Sequence, residues 1–287
     1  MKIVGTQLVR MLVLVLLAAF GSAVLVRFSP GALVDERELD PRLSASTLAA
    51  MRAQREAENS LGNGFFRYLW SALHGDLGKS QANNAPIAGL LKSNAAATLK
   101  RVGAGLAGAW LFGLALAIPV AAFRRAWVLD TATALFAGFL LSLPAGVLAL
   151  LCLTFGAPVE IVLLLVLTPR IFRYSRNVLA QAYGAPCIDM ARARGIGEWR
   201  ILSAYVFTGA APQLFALLAT SLSLAIGSII PIEAICDAAG LGRLAWQAAT
   251  ARDLPLLLNL TMLIALATTA AMTFAELIAR RPMEAAQ

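Results

Sequence analysis

VGAGLAGAWLFGLALAIPVAAF, residues Val102–Phe123, runs for 22 residues without an ionisable side chain. At about 1.5 Å per residue a helix of that length covers roughly 33 Å, enough to cross a hydrocarbon layer of about 30 Å. Five more apolar tracts lie around it, at Gln7–Val26, Thr131–Leu153, Val159–Ser175, Phe207–Pro231 and Pro255–Ala279. The whole chain of 287 residues is 59% hydrophobic and 14% charged, with a mean hydropathy of +0.75, which excludes an ordinary soluble domain. The fold class this predicts is all-α: a polytopic membrane helix bundle with six transmembrane helices. The tract at Val159 is the shortest. About a dozen apolar residues separate Pro158 from Arg170, so a helix is expected to run past the membrane surface with Arg170, Arg173 and Arg176 at headgroup level.

Lys2 and Arg10 precede the first tract as they would in a signal peptide, but no small-x-small cleavage site with a polar flank follows, so it is read as a span. Lys and Arg in short loops set orientation. Lys2, Arg10, Arg124, Arg125, the arginines from Arg170 to Arg200, Arg280 and Arg281 fall on one side, against Arg243 and Arg252 on the other. Both termini are therefore expected in the cytoplasm. The net charge of +8 is topological on this reading and does not point to nucleic acid. Three regions follow: residues 1–27, tail and first span; residues 28–101, an extracytoplasmic segment with short amphipathic helices; and residues 102–287, a five-helix core with a cytoplasmic loop at about 177–206.

Chemistry-bearing groups are few. Cys152, Cys187 and Cys236 share no CxxC spacing and predict neither metal site nor disulfide framework. His74 stands alone in the outer segment, where a packing role is the expectation. GKS at Gly78–Ser80 suggests a phosphate loop, but Leu73 occupies the place of the first required glycine and no strand precedes it. The chain is not expected to bind a cofactor or to hydrolyse ATP. Two amphipathic pieces, Ser46–Glu58 and Phe65–Gly75, are expected to lie on the membrane surface or on other outer loops. Within the opening tract, Ala104 and Gly108 share one helical face and Gly105 and Ala109 a neighbouring one, which predicts close helix packing within the chain or against another subunit. Pro119 and Pro144 each permit a kink.

Between the fourth and fifth tracts stands CIDMARARGIGEWR, Cys187–Arg200. Pro186 suits a first helical turn, Asp189 and Arg192 lie at i, i+3, and Gly195 and Gly197 should end the helix and turn the chain before EWRILSAYVF opens the next. Arginines at the bilayer centre cost about 2.5–3.5 kcal/mol each, so this helix, turn and helix must sit outside the membrane. Ala191 and Ala193 leave the short helix thin enough to enter a groove.

DMARARGIGEWRIL resembles the cytoplasmic motif of binding-protein-dependent ABC importers, in particular the permeases of the dipeptide/oligopeptide/nickel family. GSIIPIEAICDAAGLGRLAWQAATARDLPLL resembles that family's last outer loop, GDLGKS its GDxGxS before the second span, and LSLPA around Pro144 its SLP in the third. The resemblance covers nearly the whole chain. It implies a type I ABC importer permease fold in a bacterial inner membrane, a B-type subunit pairing with a C-type permease, one or two ATP-hydrolysing subunits holding the ATP and Mg, and an extracytoplasmic binding protein. It also implies that Asp189, Ala191, Arg192, Ala193, Arg194 and Gly195, flanked by Gly197, Glu198, Trp199 and Arg200, form the ATPase-coupling element. The matched outer-loop positions are Glu233, Gly240, Leu241, Gly242, Arg243, Arg252 and Asp253. This chain departs from the pattern in its short connection Thr154–Pro158, in Ala239 where the family often has proline, and in Lys100 where relatives often carry an acid. Two other readings stand beside the importer: a scaffold subunit that kept the fold and lost transport, and a secondary transporter, which would ordinarily place ionisable groups near the midplane. No residue discriminates the cargo.

Overall fold

The computed structural model describes residues 2–28, 70–71, 74–122 and 127–284. Both predicted amphipathic pieces of the outer segment lie wholly or mostly outside the described residues. What is described is almost entirely helical, with no strand beyond one isolated bridge between Lys79 and Pro86. The helices are α1 (Lys2–Phe28), α2 (Ile87–Ala122), α3 (Trp127–Ser142), α4 (Ala145–Thr154), α5 (Val159–Tyr183), α6 (Pro186–Ala193), α7 (Glu198–Ile201), α8 (Phe207–Ile235), α9 (Leu241–Thr250) and α10 (Leu254–Glu284). A π-helical turn, Leu202–Val206, joins α7 to α8.

Among the described residues, three helices are long and apolar enough to cross a membrane, within Ile87–Ala122, Glu198–Ile235 and Leu254–Phe274. A bent pair makes a fourth. The expectation of six spans is thus met in part by these criteria. In α1 the apolar stretch covers only Val9–Ser22, and in α5 the three arginines and Glu160 dilute the apolar run. The third expected tract is not one helix. It breaks after Ser142 and resumes at Ala145, with a 94° bend where a kink was expected. Pro144 lacks an N–H and disfavours helical backbone at Leu143, so it becomes the N-cap of α4 at φ −59°, ψ 142°. Pro119, near the end of α2, interrupts nothing.

The chain folds as two units, Met1–Ala95 with Leu244–Leu266, and Ala96–Arg243 with Ala267–Gln287. The second unit holds two apolar clusters. One gathers Val102, Ala109, Leu163, Leu167, Ile171, Ala225, Ile229 and Ile232 from α2, α5 and α8. The other, toward the chain's charged loop, gathers Ala117, Phe172, Leu179, Tyr183, Ile188, Ala191, Ile201 and Val206.

Small residues explain how α2 and α5 come so close. A Cβ on Gly105 would meet Leu163 Cδ2 at 2.8 Å, one on Gly108 Leu164 Cδ1 at 2.7 Å, and one on Gly113 Ile171 Cγ2 at 2.8 Å. The glycines therefore serve a contact inside this chain. Of the two expected faces, that of Gly105 and Ala109 is covered within this chain, in a buried row that runs Val102, Gly105, Ala109, Gly113 and Ala117, while Ala104 is exposed. A mean spacing near 3.6 puts these five on one face, whereas Ala104 is turned about 100° away from Gly105.

Candidate functional site

The charged loop folds as a hook. Pro186 opens α6 in its first turn, as its missing N–H favours. At the other end the Gly195 N–H donates to the Arg192 carbonyl at 2.9 Å and the Ile196 N–H to the Ala191 carbonyl at 3.1 Å, a Schellman turn with Gly195 at φ +77°. Gly197 has a different part from the one expected. It is the N-cap of α7 at φ −63°, and a Cβ there would meet nothing within 4 Å, so the turn does not require glycine at that position.

Ile188 and Ala191, one helical turn apart, are buried in the apolar cluster that also holds Leu179 and Tyr183 of α5, Ile201 at the end of α7, and Leu202 and Val206 of the π-helical turn. This corrects the expectation for Ala191. Its small side chain seats α6 on its own bundle and does not help the helix enter a groove, whereas Ala193 is exposed. Asp189, Arg192, Arg194, Gly195, Gly197, Glu198, Trp199 and Arg200 are all exposed. Arg192 reaches across the turn to Glu198, Nε to Oε1 at 2.8 Å and Nη2 to Oε2 at 3.3 Å. That bond raises the Arg192 pKa above the ordinary guanidinium value. Behind the hook lies a cleft of about 220 Å³ lined by residues that include Gln181, Cys187, Ile188, Tyr205 and Gln213. The hook is thus seated on one apolar face and open on its others.

The residues matched to the family's last loop do the opposite. Glu233, near the end of α8, is fully buried. Its carboxylate accepts from Thr98 Oγ1 at 2.9 Å, from Arg101 Nη1 at 3.0 Å and from the Gly242 N–H at 2.9 Å. Thr98 Oγ1 in turn accepts from the Leu241 N–H at 2.9 Å, and Arg101 also donates to the Ala239 carbonyl at 2.5 Å. The GLG sequence is required by this carboxylate and the helix that carries it. A Cβ on Gly240 would collide with the Glu233 carboxylate, and one on Gly242 would collide with the Ile230 carbonyl oxygen. Arg243 stays at the rim, 3.3 Å from the Asp237 carbonyl.

The remaining pair of that motif, Arg252 and Asp253, belongs to the other unit. Asp253 is buried and caps α10, accepting the Leu256 N–H on Oδ1 at 3.1 Å. Its Oδ2 accepts from Ser80 Oγ and from the Ala82 N–H at 3.2 Å, while Asn259 Nδ2 donates to the Leu77 carbonyl at 3.1 Å. So GDLGKS and ARDLP, 173 residues apart at Ser80 and Asp253, are two sides of one tie. Arg252, next to it, is exposed in a left-handed conformation at φ +53°.

Sequence reasoning missed Thr98 and Arg101. It singled out Lys100, which is exposed, while its neighbour Arg101 holds Glu233. The i, i+3 spacing of Thr98 and Arg101 at the start of an apolar tract was the available signal. No group of His, Cys, Asp and Glu able to hold a metal occurs among the described residues. His74 Nδ1 lies 2.8 Å from the Trp70 carbonyl, a local contact.

Comparison with known proteins gives this geometry a family. Residues 111–283 match the family described as binding-protein-dependent transport system inner membrane component. A protein of Brucella suis biovar 1 (strain 1330) named as a peptide permease is 27% identical over 272 residues, covering 84% of this chain and 85% of the relative. The glutathione transport system permease protein GsiC of Salmonella paratyphi A is 24% identical over 243 residues, 76% of each chain. Among solved structures, a chain of the MetNI methionine ABC transporter in inward-facing conformations is similar with a TM-score of 0.55 and 20% identity, covering 67% of this chain and 98% of that one, a likeness of fold. The chain therefore belongs to the inner-membrane components of binding-protein-dependent transport systems. It is a multi-pass membrane permease subunit of the ABC importer type.

Proposed function

We propose that this subunit forms half of the pathway of an ATP-driven importer for peptides or related small solutes, pairing with a second, C-type permease. The relatives named for peptide and glutathione transport support the cargo class. The hook supports the coupling role: Asp189–Arg200 presents charged residues and Trp199 outward from a helix whose inner face is fixed to the bundle by Ile188 and Ala191. A rigid projection held in a cleft of a cytoplasmic ATP-hydrolysing subunit moves with that cleft, and its motion would bias a two-state bundle between inward-open and outward-open forms. ATP and Mg belong to that partner, and a binding protein delivers solute on the opposite face. Both termini are cytoplasmic on this reading, since the arginine-rich hook is.

The observation that carries the proposal is the one-sided burial of the hook. Purification of the full chain from its native membrane in mild detergent, with co-purifying subunits identified by mass spectrometry, tests it. A second permease with one or two ATPases is the expected result. A membrane complex without an ATPase would overturn the importer reading in favour of a scaffold.

A further inference from the structure

Three cysteines that sequence spacing left unrelated are sorted by the fold. Cys187 is exposed on the hook, whereas Cys152 and Cys236 meet in one apolar cluster, Cys152 as a buried member and Cys236 packed against it. All three are free thiols in the structure. Cys152 stands in the last turn of α4, and Cys236 is the residue that ends α8. Ala149 lies between Gly146 and Cys152 on one side of α4, each of them about 60° around the helix from it. That side meets the end of α8. A Cβ on Gly146 would lie 3.3 Å from Ile235 Cδ1, and Cys236 Sγ lies 3.8 Å from the Ala149 carbonyl oxygen. On this helix a side chain turns back onto the carbonyl three residues before it, as Thr154 Oγ1 does in donating to Leu151 at 2.7 Å. The same rotamer at Cys152 sets its sulfur beside the Ala149 carbonyl, where the Cys236 sulfur already lies. Burial first, and then the neighbouring Cys152 thiol, push the Cys236 thiol above its ordinary pKa, so each sulfur is within reach of the other's charge.

Position adds a compartment. Glu198–Ile235 is long and apolar enough to cross a membrane, with the hook at one end and Cys236 just past the other. With the hook in the cytoplasm, the two thiols lie on the extracytoplasmic side, where disulfides form and persist. We propose that Cys152 and Cys236 are joined there in an intramolecular disulfide that fastens α4 to the end of α8. This rests on the orientation given under the importer reading. The more accessible Cys236 thiolate attacks the disulfide of an oxidised dithiol carrier, forming a mixed disulfide and expelling one thiolate; the Cys152 thiolate then attacks the Cys236 sulfur and expels the second. Two electrons pass to the carrier, which leaves as two thiols holding the two protons that the cysteines lose. The raised pKa of Cys236 slows the first attack without changing what the pair forms. The bond has a place in the fold: α4 is the second limb of a helix broken at Pro144 and bent by 94° from α3, and Cys236 follows Glu233 by three residues. It would tie the bent limb to the end of α8 that Glu233 closes.

The test starts from the full-length chain in its native membranes. Free thiols are trapped with N-ethylmaleimide in denaturant, and the chain is digested and weighed without reduction. One maleimide, on Cys187, and a peptide pair joined through Cys152 and Cys236 are expected, with three maleimides after reduction. A second sample, purified reduced in mild detergent, is exposed to oxidised glutathione beside the C236S variant, which should yield no joined pair. Three maleimides on the native chain, with the joined pair formed by glutathione in detergent, would overturn the native disulfide and count against the orientation it rests on. Three maleimides on the native chain, and only a glutathione adduct at Cys236 in detergent, would overturn the pairing itself by placing the two Cα atoms beyond the about 7 Å that a disulfide spans. Neither result touches the importer reading, which stands or falls on the co-purifying ATPase. In the oxidised chain, dithiothreitol should lower the unfolding midpoint by about 5–10 °C, a shift missing from C236S, and a midpoint indifferent to reductant would overturn the fastening of α4.

Discussion

The two ends of α8 solve opposite problems with similar residues. At its C-terminal end Glu233, Arg101, Thr98 and two glycines are closed on one another, with every carboxylate oxygen occupied and the Gly240 and Gly242 backbones pressed against their neighbours. At its N-terminal end the hook has Glu198, three arginines and two glycines, yet its charges are exposed and one ion pair crosses the turn. Both stretches read in sequence as charged residues among glycines. What separates them is burial: a buried carboxylate must be satisfied by the chain itself, while an exposed one is satisfied by water and remains available to a partner. The first arrangement holds helix ends in register. The second leaves a surface for recognition.

The sharpest way to break the contrast is Glu233→Ala. It would leave the half-buried Arg101 with only the longer carboxylate contact, to Glu160 at 3.9 Å, and the Thr98 hydroxyl and Gly242 N–H without their acceptor, an expected loss of about 3 kcal/mol. Thermal unfolding in detergent should fall steeply, and an unchanged midpoint would mean the knot holds nothing together. Gly242→Ala comes next. Its methyl would overlap the Ile230 backbone carbonyl, and overpacking of this kind costs about 1–3 kcal/mol or somewhat more, with reduced yield of monodisperse protein as the readout.

On the hook the effects should shrink. Gly195→Ala forces a Cβ into the left-handed region at φ +77°, at about 1–2 kcal/mol, whereas Gly197→Ala, with open space for its Cβ and only the weaker N-cap preference of alanine against it, should cost about 0.5 kcal/mol. If both substitutions lower the unfolding midpoint equally, the Schellman turn is misassigned. Arg192→Met should cost the least stability, within about 1 kcal/mol, because the pair with Glu198 is solvated. On the importer reading, the same substitution should disturb ATPase stimulation more than it disturbs folding. A large drop in stability with normal stimulation would show the hook to be built like the knot.

Much of this was legible in the residues. Apolar tract length gave the class of protein, Pro186 and Gly195 gave the bounds of the short helix, and the small residues of α2 gave a close contact without its partner. The misreadings have one cause. Ala191 was judged by size and Gly197 by residue type, but which face of a helix is covered, and which residue must turn, depends on the elements beside it. Thr131–Leu153 has the composition of a span, and the angle at Pro144 is set by how the two pieces pack on α5 and α8.

The sequence by itself determined that this chain lives in a membrane, and that the short helix of the hook begins at Pro186 and ends in a left-handed turn at Gly195. These follow from transfer free energy and backbone sterics, which act locally. Tertiary structure alone decided that Glu233 is welded to Thr98, Arg101 and the GLG turn, that Ser80 answers Asp253, and that Trp199 is left bare. A buried polar group is settled by whatever the fold brings within about 3 Å of it, and partners 135 or 173 residues away in sequence are fixed only when the helices meet.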